Sequence, residues 1–111
     1  MIKSNCQYRF TATTEGLVVS VSGEIDHHTA GKMRDEIDAA IEFHRPACLV
    51  LDFGGVSFMD SSGIGLVMGR YKLMKSIGGT VRVENTPKPL RKVMKLSGLY
   101  DLAQFDREET D

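Results

Sequence analysis

Polar and apolar residues alternate from Gln7 to Thr13, with Tyr8, Phe10 and Ala12 set against Arg9, Thr11 and Thr13. That is the period of a half-buried β-strand. Glu15-Gly16 supplies a turn, and Leu17, Val19 and Val21 then alternate with Val18, Ser20 and Ser22, so a hairpin opens the chain. From Thr29 to Phe43 the period lengthens. Ala30, Met33, Ile37, Ala40 and Ile41 fall at helical spacing, with Lys32, Arg34, Asp35, Glu36 and Asp38 largely opposite. His44-Arg45-Pro46 ends that helix, because the residue before proline avoids the α region, and His44 suits the negative end of the dipole.

Ala47 to Phe53 is a near-continuous apolar run, expected of a central strand covered on both faces. A loop over Gly54 to Asp60 then leads to a second helix starting near Ser62. Its buried stripe is Ile64, Val67, Met68, Tyr71 and Met74, and Gly78-Gly79 closes it. Val81 and Val83 alternate with Arg82 and Glu84 in a fourth strand. Thr86-Pro87 reads as an N-cap followed by a first-turn proline, opening a third helix with Leu90, Val93, Met94 and Ser97 that runs to Gly98. A last short strand uses Leu102 and Phe105, and the acidic tail from Asp106 is expected to fray. The order ββαβαβαβ predicts an α/β domain with right-handed crossovers. Helices pack on a four- or five-stranded, mixed or mostly parallel sheet whose antiparallel edge is the first hairpin. One domain over 1–111, with its core at about 8–105, fits the length of 111 residues.

Composition narrows the function classes. With 41% hydrophobic and 26% charged residues the chain is ordinary globular material. Lys and Arg number 14 against 15 Asp and Glu, a net charge of −1, so no basic stripe invites nucleic acid directly. No apolar run approaches the roughly 20 residues that span a bilayer, and the N-terminus lacks the apolar segment of a signal peptide. A cytoplasmic protein without membrane contact is expected. Cys6 and Cys48 are too few for a disulfide framework or zinc site, and Cys48 reads as a small buried hydrophobe.

The informative stretch is Ser57 to Gly65, SFMDSSGIG. Asp60, Ser61 and Ser62 are all good N-cap types, but one cap needs one oxygen. Gly63 has no side chain to screen the others, so at least one hydroxyl should face solvent. Phe58 and Met59 either tuck inward or form an apolar rim. An accessible serine beside such a rim suits a site read by another protein. If the helix begins near Ser62, that hydroxyl is drawn to local backbone while Ser61 stays in the open. Gly63 and Gly65 would let a partner approach closely. The loop with Asp26 and His28 leaves the carboxyl end of the second strand, and lies beside Met59 to Gly63 if the second and third strands are parallel neighbours. As an exposed loop residue, Asp26 should contribute little to stability.

Catalytic readings fare worse. Gly63, Gly65 and Gly69 imitate a dinucleotide fingerprint, with Glu84 ending the next strand, but the spacing is GxGxxxG and the glycines stand far from Phe53. No GxxxxGK[ST] occurs, and Ser62 is not in a GxSxG elbow. His27-His28, adjacent in a strand-to-helix loop, have the wrong spacing to share a metal from one helix.

Gly23 to Ala30 (GEIDHHTA), SFMDSSGIG, Gly69 to Lys72 (GRYK), Ile77-Gly78-Gly79 and Leu96 to Leu99 (LSGL) together resemble the STAS domain of anti-sigma factor antagonists, in particular their sporulation branch. The likeness runs from about Tyr8 to Phe105 and leaves little room for a long final helix. It implies a regulatory cycle with no cofactor of the chain's own. The unphosphorylated protein binds an anti-sigma factor that is also a serine kinase and frees the sigma factor. Phosphorylation with ATP held by that kinase switches it off, and a serine phosphatase resets it. The modified serine maps onto Ser61, and the Asp26 loop onto a kinase contact. The partner surface then comprises Asp26, His28, Met59, Asp60, Ser62, Gly63 and Gly65. A STAS scaffold of another regulatory complex, or a small nucleotide-binding protein, are the alternatives.

Overall fold

A computed structural model describes residues 6–99 and 104–105 of the chain. The strands are β1 (Cys6–Ala12), β2 (Leu17–Ile25), β3 (Cys48–Met59), β4 (Thr80–Glu84) and β5 (Gln104–Phe105). The helices are α1 (His27–His44), α2 (Ser61–Ser76) and α3 (Lys88–Leu96), so the order ββαβαβαβ is the one expected. One sheet runs β1-β2-β3-β4-β5, with β1 antiparallel to β2 and every later pair parallel. Phe105 lies in β5 as read from the sequence, whereas Leu102 and the acidic tail fall outside the described residues.

The turn at Thr13–Gly16 closes through paired backbone bonds of 2.7 and 3.3 Å. Past it, Leu17, Val19, Val21 and Ile25 of β2, Leu49, Leu51, Phe53, Val56 and Met59 of β3, and Val81 and Val83 of β4 are buried. They meet Ala30, Met33, Ile37 and Ile41 of α1 and Leu66, Val67 and Met74 of α2, which are the apolar stripes of those helices. Between them in β2 and β3, Val18, Ser20, Val50 and Asp52 are only half-buried. The third strand is therefore covered on one face, not two. Its apolar run reflects the open face carrying Val50 next to Val18, a cross-strand pair in register.

Two boundaries differ from the sequence reading. Gly54 to Met59 is strand, not loop, because those residues keep pairing with β2 through Ser22↔Gly55, Gly23↔Val56, Glu24↔Phe58 and Ile25↔Met59. Two register shifts accommodate the glycines. A Cβ on Gly55 would lie 2.6 Å from that of Ser22, so only glycine keeps the strands joined there. The third helix is capped by Pro87 without a side-chain hydrogen bond. Thr86 is no N-cap; it is buried and its hydroxyl has no hydrogen-bond partner among the described residues. Val93, placed in that helix's stripe by its spacing, is exposed, and Met94 carries the burial.

The other helix ends follow their sequence signals. Arg45 takes the left-handed conformation before Pro46, and Gly78 does so after α2, with the Gly79 amide donating to the Met74 carbonyl at 2.7 Å. Cys6 is buried and Cys48 half-buried, so it is Cys6 that behaves as the small core hydrophobe.

Candidate functional site

The register of β2 and β3 decides the site. Ile25 pairs with Met59, and the next residue on each strand is an aspartate that caps a helix. Asp26 and Asp60 thus stand side by side at the carboxyl end of two parallel strands, as expected if those strands were neighbours. The Asp60 amide donates to the Ile25 carbonyl at 3.2 Å and ties the two junctions together.

Asp26 accepts from the amides of His28 at 2.9 Å and Thr29 at 3.0 Å, while the Thr29 hydroxyl accepts from the Asp26 amide at 3.0 Å. This reciprocal box satisfies amides that the first turn leaves open. The hydrogen bond from the Thr29 amide, helped by the one from His28, holds the Asp26 carboxyl below its ordinary pKa. Asp26 is consequently structural as well as accessible, which corrects the expectation that it contributes little to stability. His27 and His28 are the first turn of α1, not a loop, and both are exposed. Asp60 accepts from the Ser62 amide at 2.8 Å.

Ser61 is the first residue of α2 and is exposed; Ser62 is half-buried. The helix starts one residue earlier than its sequence signals indicate. It is the Ser62 amide, not its hydroxyl, that is engaged, for that hydroxyl makes no hydrogen bond among the described residues. Ser61 thus stands at the positive end of α2.

Met59 and Gly63 leave the partner surface. Met59 is 8% exposed, packed beneath α2. A Cβ on Gly63 would lie 2.2 Å from Met59 Cγ, so this glycine serves a close internal approach. The register shift between Gly23 and Glu24 leaves Ser57 out of the pairing, and Phe58 turns outward, 48% exposed beside the start of α2. Alternation from buried Val56 would turn it inward, so only the register shift identifies it. Gly65 is exposed, and a Cβ added there would meet no atom within 4 Å, so it does offer open access. With only Asp60 between β3 and α2, the turn is tight after all, and the GxGxxxG spacing with a buried Gly63 is what separates it from a dinucleotide loop.

Arg70 lies within the GRYK motif, but the sequence reading gives it no role in the site. It is buried, and its Nε lies 2.8 Å from Asp38 Oδ1 on α1, off the hydrogen-bonding axis. Its position three residues after Val67 and four before Met74 puts it on the buried face. Among the described residues no group of three or more His, Cys, Asp or Glu is placed to hold a metal ion, and no helix is long and apolar enough to cross a membrane.

The STAS domain family model matches residues 7–111. An anti-sigma F factor antagonist of Paenibacillus polymyxa is 40% identical over 93 residues, covering 83% of this chain and 80% of that protein. The anti-sigma factor antagonist SpoIIAA in its unphosphorylated form superposes with a TM-score of 0.79 at 32% identity, over 92% of this chain and 90% of that one. The phosphorylated form of Bacillus SpoIIAA, described as a cell fate determinant, gives 0.72 at 33% identity over 92% and 93%. Sequence motifs, sheet order and paired helix starts agree with these likenesses, and the chain belongs to the STAS domain family.

Proposed function

We propose that this chain is an anti-sigma factor antagonist controlled by phosphorylation of Ser61. In its unphosphorylated form it binds an anti-sigma factor that is a serine kinase and displaces the sigma factor. The observation that carries this reading is an exposed serine at the first position of α2, flanked by exposed Phe58 and unobstructed Gly65. The Paenibacillus polymyxa relative is named for antagonism of an anti-sigma factor, and SpoIIAA exists in phosphorylated and unphosphorylated forms, which supports extending both properties here.

The chain is on this reading a substrate of catalysis rather than a catalyst, with ATP brought by the kinase and the phosphate removed by a separate serine phosphatase. Phosphate adds about 1.5 to 2 negative charges next to Asp60. The amides of the first α2 turn and the solvent around an exposed residue tolerate that charge in the free protein. A partner face that covers Ser61 must desolvate it. Losing about 3 kcal/mol of affinity is roughly a hundredfold, enough for a switch. The test is competition: the chain is titrated into a preformed complex of anti-sigma kinase and sigma factor. Release of sigma by unphosphorylated chain, and none by chain first treated with kinase and ATP, is expected. Failure of the unphosphorylated chain to bind the kinase would refute the reading.

A further inference from the structure

Between α1 and α2, just beyond Ser62, lies an open groove of about 400 Å³. Gly31, Gly65 and Gly69 hollow it, and a Cβ on any of the three would meet nothing within 4 Å. Its polar lining is unbalanced. Arg34, Arg70 and His27 face it together with Ser62, and among the described residues no acidic side chain does.

The two arginines are under-served. Arg70 is 7% exposed, and its one ion pair is through Nε to Asp38; no hydrogen bond from its terminal nitrogens is made among the described residues. Burial lowers its pKa from the ordinary value, Asp38 opposes this, and the like charge of Arg34 adds to it. Arg34 turns both Nε and Nη2 to a single oxygen of Asp35 at 3.1 Å, a pairing of neighbours with side chains 54% and 72% exposed. Exposed pairs of that kind contribute little and exchange partners readily. A buried guanidinium edge beside a second, loosely held one is a forked donor set for an oxyanion. Space for it already exists.

We infer that this groove is an oxyanion subsite that receives an acidic side chain of the protein docking over Ser61, with Arg70 at its floor and Arg34 at its rim. The inference rests on the functional reading above, and it specifies the partner's chemistry: a carboxylate that enters beside the α2 start. Docking would seal Gly65 and Gly69 under the partner and remove water from the pair, which strengthens it.

Arg34 is the position to vary, since it is half-exposed and contributes little to the fold. Wild type, Arg34→Lys and Arg34→Glu are each titrated with the unmodified anti-sigma kinase at two salt concentrations, with thermal unfolding followed in parallel. The expected result is at least about tenfold weaker binding for Arg34→Glu, a smaller loss for Arg34→Lys, and unfolding temperatures close to wild type. Replacing one acidic residue on the kinase's docking face by arginine should restore binding to Arg34→Glu. If wild type binds and Arg34→Glu binds within about twofold of it, the subsite is refuted while the antagonist reading stands. If wild type does not bind the kinase at all, the antagonist reading itself is what fails.

Discussion

Gly63 and Gly65 stand two positions apart at the start of α2, and opposite reasons make each of them glycine. A methyl group on Gly63 would collide with the Met59 side chain, whereas one on Gly65 would meet open space. Gly63→Ala should cost about 1–3 kcal/mol through overpacking. Gly65→Ala should add roughly 0.5–1 kcal/mol, because glycine in a helix loses more conformational freedom on folding. Urea unfolding of the two variants checks this, and a Gly63→Ala protein as stable as its parent would show that Met59 yields. Gly65→Leu, stable in itself, should still weaken kinase binding. Asp26 combines two duties in one carboxylate. Its folded pKa is depressed, so its contribution to stability is present above the ordinary pKa and is lost as pH falls through the folded value, below about pH 4. Asp26→Ala should unfold at a lower temperature than wild type near neutral pH, and the gap should close on acidification into that range. A gap that is independent of pH would mean the box works without the charge.

At the scale of elements, α1 and α2 are joined by a polar contact that hydrophobic spacing does not reveal. The Arg70 to Asp38 pair crosses it at 2.8 Å. Removing Asp38 leaves a buried guanidinium without its compensating charge, which costs far more than the pair itself contributes. Asp38→Ala should therefore lose about 1–3 kcal/mol in chemical denaturation, the scale of a buried polar group left unsatisfied. A loss under half of that would show that water reaches Arg70. The start of α3 holds a second polar liability in the unbonded Thr86 hydroxyl. Thr86→Val keeps the shape and removes the unsatisfied group, and should leave stability unchanged or raise it by up to about 1 kcal/mol. Marked destabilisation would reveal a hydrogen bond that the structure does not contain.

For the whole molecule, element order is readable because hydrophobic period is a local signal. The hairpin and both long helices follow from it, whereas the parallel pairing that joins Asp26 to Asp60 is a condition of the site reading that the sheet meets. Where local signals compete with tertiary pairing, the sequence misleads. Gly54-Gly55 looks like a loop, but bulged pairing with β2 keeps it in the sheet, and only that pairing decides which of Phe58 and Met59 points inward. Arg70 shows the same limit: its spacing is that of a core residue, and only the Asp38 carboxylate on another helix makes a charge acceptable there. The motif residues Asp26, Asp60 and Ser61 stand out through resemblance and cap chemistry, and their shared placement gives both a physical basis. The most direct test is site mapping of the modification. The chain, Ser61→Ala and Ser62→Ala are incubated with the anti-sigma kinase and ATP, digested and sequenced by tandem mass spectrometry, with binding titrations alongside. Phosphate should appear on Ser61 in the parent and in Ser62→Ala, and nowhere in Ser61→Ala, which should bind the kinase whether or not ATP is present. Phosphate on Ser62, or tight binding by the fully phosphorylated parent, would contradict the phosphoswitch.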